Sequence, residues 1–196
     1  MLKKFSTIFL VIFFILVFFD WILSGLHEYI PQGNGLATVD FSFFLKKNSK
    51  NYITQGYGST AFSLFNYVGH RHNGIDIAAQ YGAPVLSATD GTVVSTGNQD
   101  QFCYKRGFGK FIAVQSDKDN LVLFYAHLGE IKVKAGTKVT KEQTIGAVGA
   151  SGFETGIHLH FSVFDATNFQ MKNKNGCGPD PDGKDLDPMK YIKEFE

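Results

Sequence analysis

The sequence predicts a mainly β, antiparallel domain of sheet or sandwich type, preceded by an N-terminal transmembrane helix. Three observations carry this. From Tyr52 onward the apolar residues come in short runs broken by Gly, Asn and Asp, with no sustained 3.6-residue period. Residues 5–19 are almost unbroken apolar sequence, which resumes as Trp21-Ile22-Leu23 after Asp20. A chain of 196 residues with 44% hydrophobic content suits one good core and an appendage.

Residues 1–26 are the cytoplasmic tip and anchor. As a helix the apolar segment is roughly 28 Å long at about 1.5 Å per residue, enough to cross a bilayer core. Lys3 and Lys4 on the short flank keep the N-terminus in the cytoplasm and export the chain beyond Leu26 to the periplasm or cell exterior. The competing reading is a cleaved secretory signal. Its ending fits poorly, because Leu23-Ser24-Gly25-Leu26 is not an Ala-x-Ala site, and Leu26 stands where a lipoprotein box needs cysteine. Residues 27–50 read as a stem with a turn-rich break at Pro31-Gln32-Gly33-Asn34-Gly35, and residues 51–196 as the folded domain.

Within that domain, residues 85–88 and 92–95 flank Asp90-Gly91, which predicts a tight hairpin. Residues 111–115 and 121–127 form a second pair across 116–120, and the end of its second strand delivers His127. Short strands come next at 131–134, 138–139 and 144–148, then a longer one at 157–164. Along this last strand His158, His160 and Ser162 share one face, and Leu159, Phe161 and Val163 share the other. The apolar set belongs in a core, which leaves the imidazoles on the groove side. No repeat with a period of 20 to 50 residues is present.

Four of the six histidines fall in three phrases: His72-Asn73-Gly74-Ile75-Asp76, Tyr125-Ala126-His127-Leu128 and His158-Leu159-His160-Phe161. A catalytic zinc takes nitrogen or carboxylate oxygen from three protein positions and leaves the fourth to water. His72, Asp76 and one histidine of the closing pair supply three such donors, and spacing does not rank the pair. The other, with His127, remains for proton transfer or oxyanion stabilisation. No His-Glu-x-x-His phrase occurs, so imidazoles must do the work a glutamate base does elsewhere. His27 and His70 read as ordinary histidines, though His70 lies close enough to His72 to face the same groove.

The order His-x-Gly-x-Asp, Tyr-Ala-His-Leu, His-Leu-His-Phe resembles the lysostaphin-type zinc endopeptidases of bacterial peptidoglycan. Gly82-Ala83-Pro84-Val85, Asp90-Gly91-Thr92-Val93, Gly146-Ala147-Val148-Gly149 and the segment 187–192 extend the likeness over about residues 50–193. The resemblance implies a duplicated hybrid motif fold, one Zn2+ held by His72, Asp76 and His160, and catalytic roles for His127 and His158. It also implies stem or cross-bridge peptides of peptidoglycan as substrate, with either glycine bridges or D-alanine to diaminopimelate links cut. Ile157 replaces the usual proline, Ser162 stands where glutamate is common, and residues 98–106 look like an insertion that reshapes one wall of the groove.

Two other classes compete: a catalytically silent relative that uses the groove to activate another wall hydrolase, and a phosphocarrier of the sugar phosphotransferase system on a similar fold. The retained ligands speak against the first, and the anchor, Asp76 and the His-Leu-His phrase against the second. A net charge of +1 excludes a strong electrostatic grip on nucleic acid, so the partners expected are wall peptides and, through the anchor, lipid. Cys103 and Cys177 lie in segments read as exported loops, where an oxidising compartment permits a disulfide; two unrelated thiols are the alternative. The turn-rich segment 176–183 lacks the closing glutamate of a calcium loop.

Overall fold

The computed structural model describes residues 51–192 apart from Val68 and Asn175. The segments read as anchor and stem, residues 1–50, lie outside the described residues. Among the described residues no helix is long and apolar enough to cross a membrane. The elements are β1 (Tyr52–Gln55), α1 (Ala61–Asn66), β2 (Ile75–Ala78), β3 (Pro84–Leu86), β4 (Gly91–Asn98), β5 (Lys110–Ser116), β6 (Leu121–Ile131), β7 (Lys138–Val139), β8 (Thr144–Val148), β9 (His158–Asp165), β10 (Gln170–Lys172), β11 (Asp180–Asp182) and β12 (Asp185–Leu186).

The strands pair antiparallel throughout. The main sheet runs β1-β2-β9-β6-β5-β4-β7, with β12 also on β9 and β8 joining β3 to β6, while β10 and β11 form a separate hairpin. This agrees with the mainly β, antiparallel expectation. The centre is apolar on both faces, as the continuous run of residues 121–126 requires. On one face Phe111, Phe124 and Phe164 pack with Ala113, Val122 and Ala126, and the Phe111 and Phe124 rings stack with centroids 5.2 Å apart. On the other, Ile75, Ile77, Leu123, Tyr125, Leu159, Phe161 and Val163 are buried. The Tyr125 hydroxyl accepts the backbone N–H of Ala88 at 3.0 Å, so the one polar atom of that ring is satisfied.

The hairpin expected at Asp90-Gly91 does not form. β3 pairs with β8, whereas β4 pairs with β5 and β7. Asp90 instead knits three loops, its carbonyl accepting from the Asp117 N–H at 3.0 Å and its carboxylate from the Lys141 N–H at 2.9 Å. Gly91 is needed for close approach: a Cβ there would collide with the carbonyl oxygen of Gln115 on β5. The hairpin at 117–120 does form, and the strand expected at 131–134 is the end of β6 followed by a turn. The short α1 has no long apolar stripe to advertise it; Thr60 and Ser63 cap its N-terminus reciprocally.

Candidate metal centre

Three adjacent strands make the floor of the site. In the register, Asp76 on β2 lies opposite His160 on β9, and His160 lies opposite Ala126 on β6. His72 precedes β2 and is tied to Gly58 through a pair of backbone hydrogen bonds of 2.8 Å. The result brings one donor atom each from His72, Asp76 and His160 within 4.8 Å of one another, all three residues buried. His72 Nε2 is 3.0 Å from His160 Nδ1 and 3.2 Å from Asp76 Oδ1, and His160 Nδ1 is 3.0 Å from Asp76 Oδ1. Donors around a tetrahedral zinc at about 2.0–2.2 Å stand roughly 3.3–3.5 Å apart, so a small contraction separates the two arrangements.

The far nitrogens of both rings are already engaged. His72 Nδ1 donates to the Gly56 carbonyl at 2.9 Å, and His160 Nε2 is hydrogen-bonded to the Ser162 hydroxyl at 2.7 Å. In a neutral His72 that leaves Nε2 as a bare lone pair, and His160 Nδ1 is one too in the tautomer that donates from Nε2 to Ser162. Two lone pairs and a carboxylate oxygen then point at one another, a repulsive set unless a proton or a cation sits between them. With a proton there, burial raises the Asp76 carboxyl, but hydrogen bonds from His160 and His72 outweigh it and hold the group well below the usual carboxylate range. Burial lowers the His160 imidazole to about 4 against the opposing pull of Asp76. A divalent ion therefore suits this donor set, which meets both the chemistry and the spacing of a zinc site.

His127 reaches the same place by a backbone irregularity. Ala126 faces the metal donors, so simple alternation sends His127 to the opposite side of the sheet. Between Tyr125 and Leu128 the β5–β6 register slips, and His127 adopts φ of +59°, in the left-handed region. This turns its ring back to the groove, 5.9 Å from the His160 ring and 4.8 Å from the His158 ring between centroids. The conformation is held by hydrogen bonds from its N–H to Phe108 and from the Gly149 N–H to its carbonyl, both 3.0 Å. Its Nδ1 donates to the Ser151 carbonyl at 2.8 Å, leaving Nε2 for chemistry. Burial, with His160 and His158 nearby, lowers its pKa to about 3, so the ring is neutral at pH 7. His158 Nδ1 donates to Gly156 at 2.7 Å, and its Nε2 lies 3.5 Å from Asp76 Oδ1.

All five sequence-identified residues thus converge. His70 does not join them: it is exposed, with Nδ1 against the Leu64 carbonyl at 2.7 Å. A groove of about 740 Å³ opens over His72, His127 and His160, and Tyr67, Phe108 and Arg106 are among its walls. Tyr67 was missed from sequence; its ring lies 5.6 Å from that of His72, and burial, then Asp76, pushes its hydroxyl up to about 12, so it remains a neutral donor. Gly74 is also part of the site's design, since a Cβ there would come within 2.5 Å of the Ser162 hydroxyl and the Phe161 carbonyl oxygen. Arg106, Gly107 and Phe108 line one part of the groove and Lys174, Asp180 and Pro181 another, and the two segments are joined by a disulfide between Cys103 and Cys177.

Residues 70–174 match peptidase family M23. The chain belongs to peptidase family M23. The match takes in both halves of the metal site and His127. Peptidoglycan DD-endopeptidase ShyA of Vibrio cholerae is 38% identical over 92 residues, 47% of this chain and 20% of that protein. Among solved structures, the catalytic domain of lysostaphin from Staphylococcus simulans aligns with a TM-score of 0.57 and 27% identity over 72% of this chain and 92% of that one. A zinc containing peptidase from Vibrio cholerae aligns with a TM-score of 0.53 and 28% identity, over 70% of this chain and 37% of that one. The chain spans only 16% to 37% of the length of the first curated relatives it matches, so the likeness concerns this M23 domain. Its structural neighbours are lysostaphin-type M23 peptidases.

Proposed function

We propose that this M23 chain is a zinc-dependent endopeptidase that hydrolyses peptide bonds in the stem or cross-bridge peptides of peptidoglycan. The observation that carries the reading is the meeting of three buried donors, the two imidazoles among them engaged through their other nitrogen, beside the imidazoles of His127 and His158, each held through Nδ1. His72, Asp76 and His160 would hold one zinc ion. When bound, the ion supplies Lewis acidity toward the scissile carbonyl and toward a water at its open position.

The remaining roles fall to the chain itself. The Gly56 carbonyl fixes the tautomer of His72, and Ser162 holds the plane of the His160 ring and would accept its Nε2 proton, so that Nδ1 is left for the ion. His127 and His158, oriented by the Ser151 and Gly156 carbonyls, take the water proton, return it to the leaving amine and stabilise charge on the substrate oxygen. Tyr67 adds a neutral hydroxyl on the wall. The activity named for ShyA and the zinc described in the solved Vibrio cholerae peptidase support this choice of substrate class and metal. An uncleaved single anchor with the groove outside the membrane belongs to the same proposal; the apolar run at residues 5–19 with Lys3 and Lys4 before it supports that placement, and the Cys103–Cys177 disulfide suits an oxidising compartment.

The test is His160→Ala in the full chain, compared with the unaltered protein for zinc content and for muropeptides released from purified sacculi. The variant is expected to lose both the ion and the release. Full zinc occupancy in the variant refutes the ligand assignment. Release that continues after zinc is stripped from the unaltered protein refutes the chemistry, and a zinc-loaded protein that cleaves nothing yet stimulates a second wall hydrolase is an activator.

A further inference from the structure

We propose that Arg106 is the specificity residue of the groove and selects substrates bearing a free carboxylate near the scissile bond, in preference to neutral glycine bridges. The inference rests on the peptidase reading and adds the substrate's charge. Three cations line the groove: Arg71, Arg106 and Lys174. Two are spoken for. Arg71 pairs with Asp185 at 2.6 Å and donates to the Tyr57 hydroxyl at 2.9 Å, and Lys174 pairs with Asp182 at 2.6 Å. Among the described residues, Arg106 is the groove cation whose guanidinium has no acidic or hydrogen-bonding partner.

Its backbone, in contrast, is held from every side. The Arg106 N–H donates to the Cys103 carbonyl at 3.1 Å, the preceding Lys105 N–H to the Asp100 carboxylate at 2.8 Å, and the Phe153 N–H to the Gly107 carbonyl at 2.8 Å. Gln99, fully buried, ties this loop to the segment that carries Asp180: its amide donates to the Pro179 carbonyl at 2.8 Å and to the Asp180 carboxylate at 2.5 Å, while its side-chain oxygen accepts the Phe108 N–H at 2.5 Å. The Cys103–Cys177 disulfide adds a covalent tie between the same walls. A cation presented on so fixed a backbone is preorganised, which reduces the ordering cost of binding.

Charge around it points the same way. Asp180, the acidic side chain lining the groove, accepts from the neutral Gln99 amide and keeps its charge, so it offsets one cation at most. One divalent ion held by two neutral imidazoles and one carboxylate carries a net positive charge, so the groove as a whole favours an anion. Guanidinium matches a carboxylate through two parallel N–H donors, whereas a neutral glycine chain offers it no charged acceptor.

The experiment compares two forms of one cross-linked muropeptide dimer, with its carboxylates free and with them amidated, in the zinc-loaded full chain. kcat/KM for cleavage and equilibrium affinity are both read. The free-carboxylate dimer is expected to be preferred by about tenfold, the scale of a charge-assisted hydrogen-bond pair at a partly wet site. Arg106→Gln should bring that ratio close to one, and Arg106→Lys should keep part of it. Equal treatment of the two dimers by the unaltered protein, or an Arg106→Gln variant that keeps the full ratio, overturns the assignment. If neither dimer is cut but the affinity ratio persists and depends on Arg106, the peptidase reading falls and the carboxylate selection stands.

Discussion

Ser162 is the sharpest place to probe the proposed metal centre, because it is not one of the three proposed ligands. Its side chain is fully buried and hydrogen-bonded to His160 Nε2 at 2.7 Å, and the proposed metal site has it accept the ring proton. In Ser162→Ala the chain has two choices, both costly. The ring can keep its proton on Nε2 with no acceptor, a penalty of about 1–3 kcal/mol for a buried donor. Alternatively the proton can move to Nδ1, which removes the lone pair that faces His72 and Asp76. Loss of such a supporting partner typically lowers metal affinity about 10- to 100-fold, or about 1.4–2.7 kcal/mol, which agrees with the first figure. Zinc competition against a fluorescent chelator at pH 7 reads this directly, with thermal stability of the metal-free variant as the control for folding. If Ser162→Ala folds and binds zinc as tightly as the unaltered protein, the proposed tautomer of His160 is wrong and the inward-facing lone pair goes with it.

Two further outcomes are expected from the same geometry. The metal-free protein should lose stability as pH falls from about 6.5 toward 3, because His160 and His127 are depressed to about 4 and about 3, so the unfolded chain takes up those protons first. The stabilisation is fully present above the unfolded value and fades by up to about 1.4 kcal/mol per pH unit for each group; urea titrations across that range should show the slope reduced by about one proton in His127→Gln, and a flat profile contradicts it. Reduction of the disulfide, or Cys103→Ser with Cys177→Ser, is expected to cost about 4 kcal/mol at most by the chain-entropy estimate. Cleavage should fall while zinc stays bound, because the tie joins two groove walls and touches no ligand; a variant that loses zinc instead would show that the wall supports the floor.

Much of the site was legible because β geometry translates spacing into direction. Residues 158, 160 and 162 had to share a face, and they do, with His160 and Ser162 in one hydrogen bond. The ligand set needed more than spacing, since either histidine of the pair could serve; the register that sets Asp76 against His160 is a long-range pairing that a single strand does not reveal. His127 was found as a residue but not as a conformation. Alternation places it on the wrong side, and only the register slip with its left-handed backbone corrects this. The Asp90-Gly91 pair misled for a related reason: glycine there answers a contact with the neighbouring strand β5 rather than a local turn. The walls were least legible, because Gln99, Arg106 and Tyr67 sit in segments without a strand's alternation, and Gln99 meets Pro179 and Asp180 from some 80 residues away in the chain.

The ladder of β2, β9 and β6 has a consequence for how this protein can change. A strand cannot slip by a fraction of a residue; a slip of one carries every side chain to the reverse side and takes the donor set apart at a stroke. Graded alteration of the floor is therefore closed off. The loops at 99–109 and 174–181 obey no such rule, since they are fastened by a glutamine, a cystine and scattered amides. A groove of different selectivity is therefore to be sought through side-chain changes in those loops, with the ladder left alone.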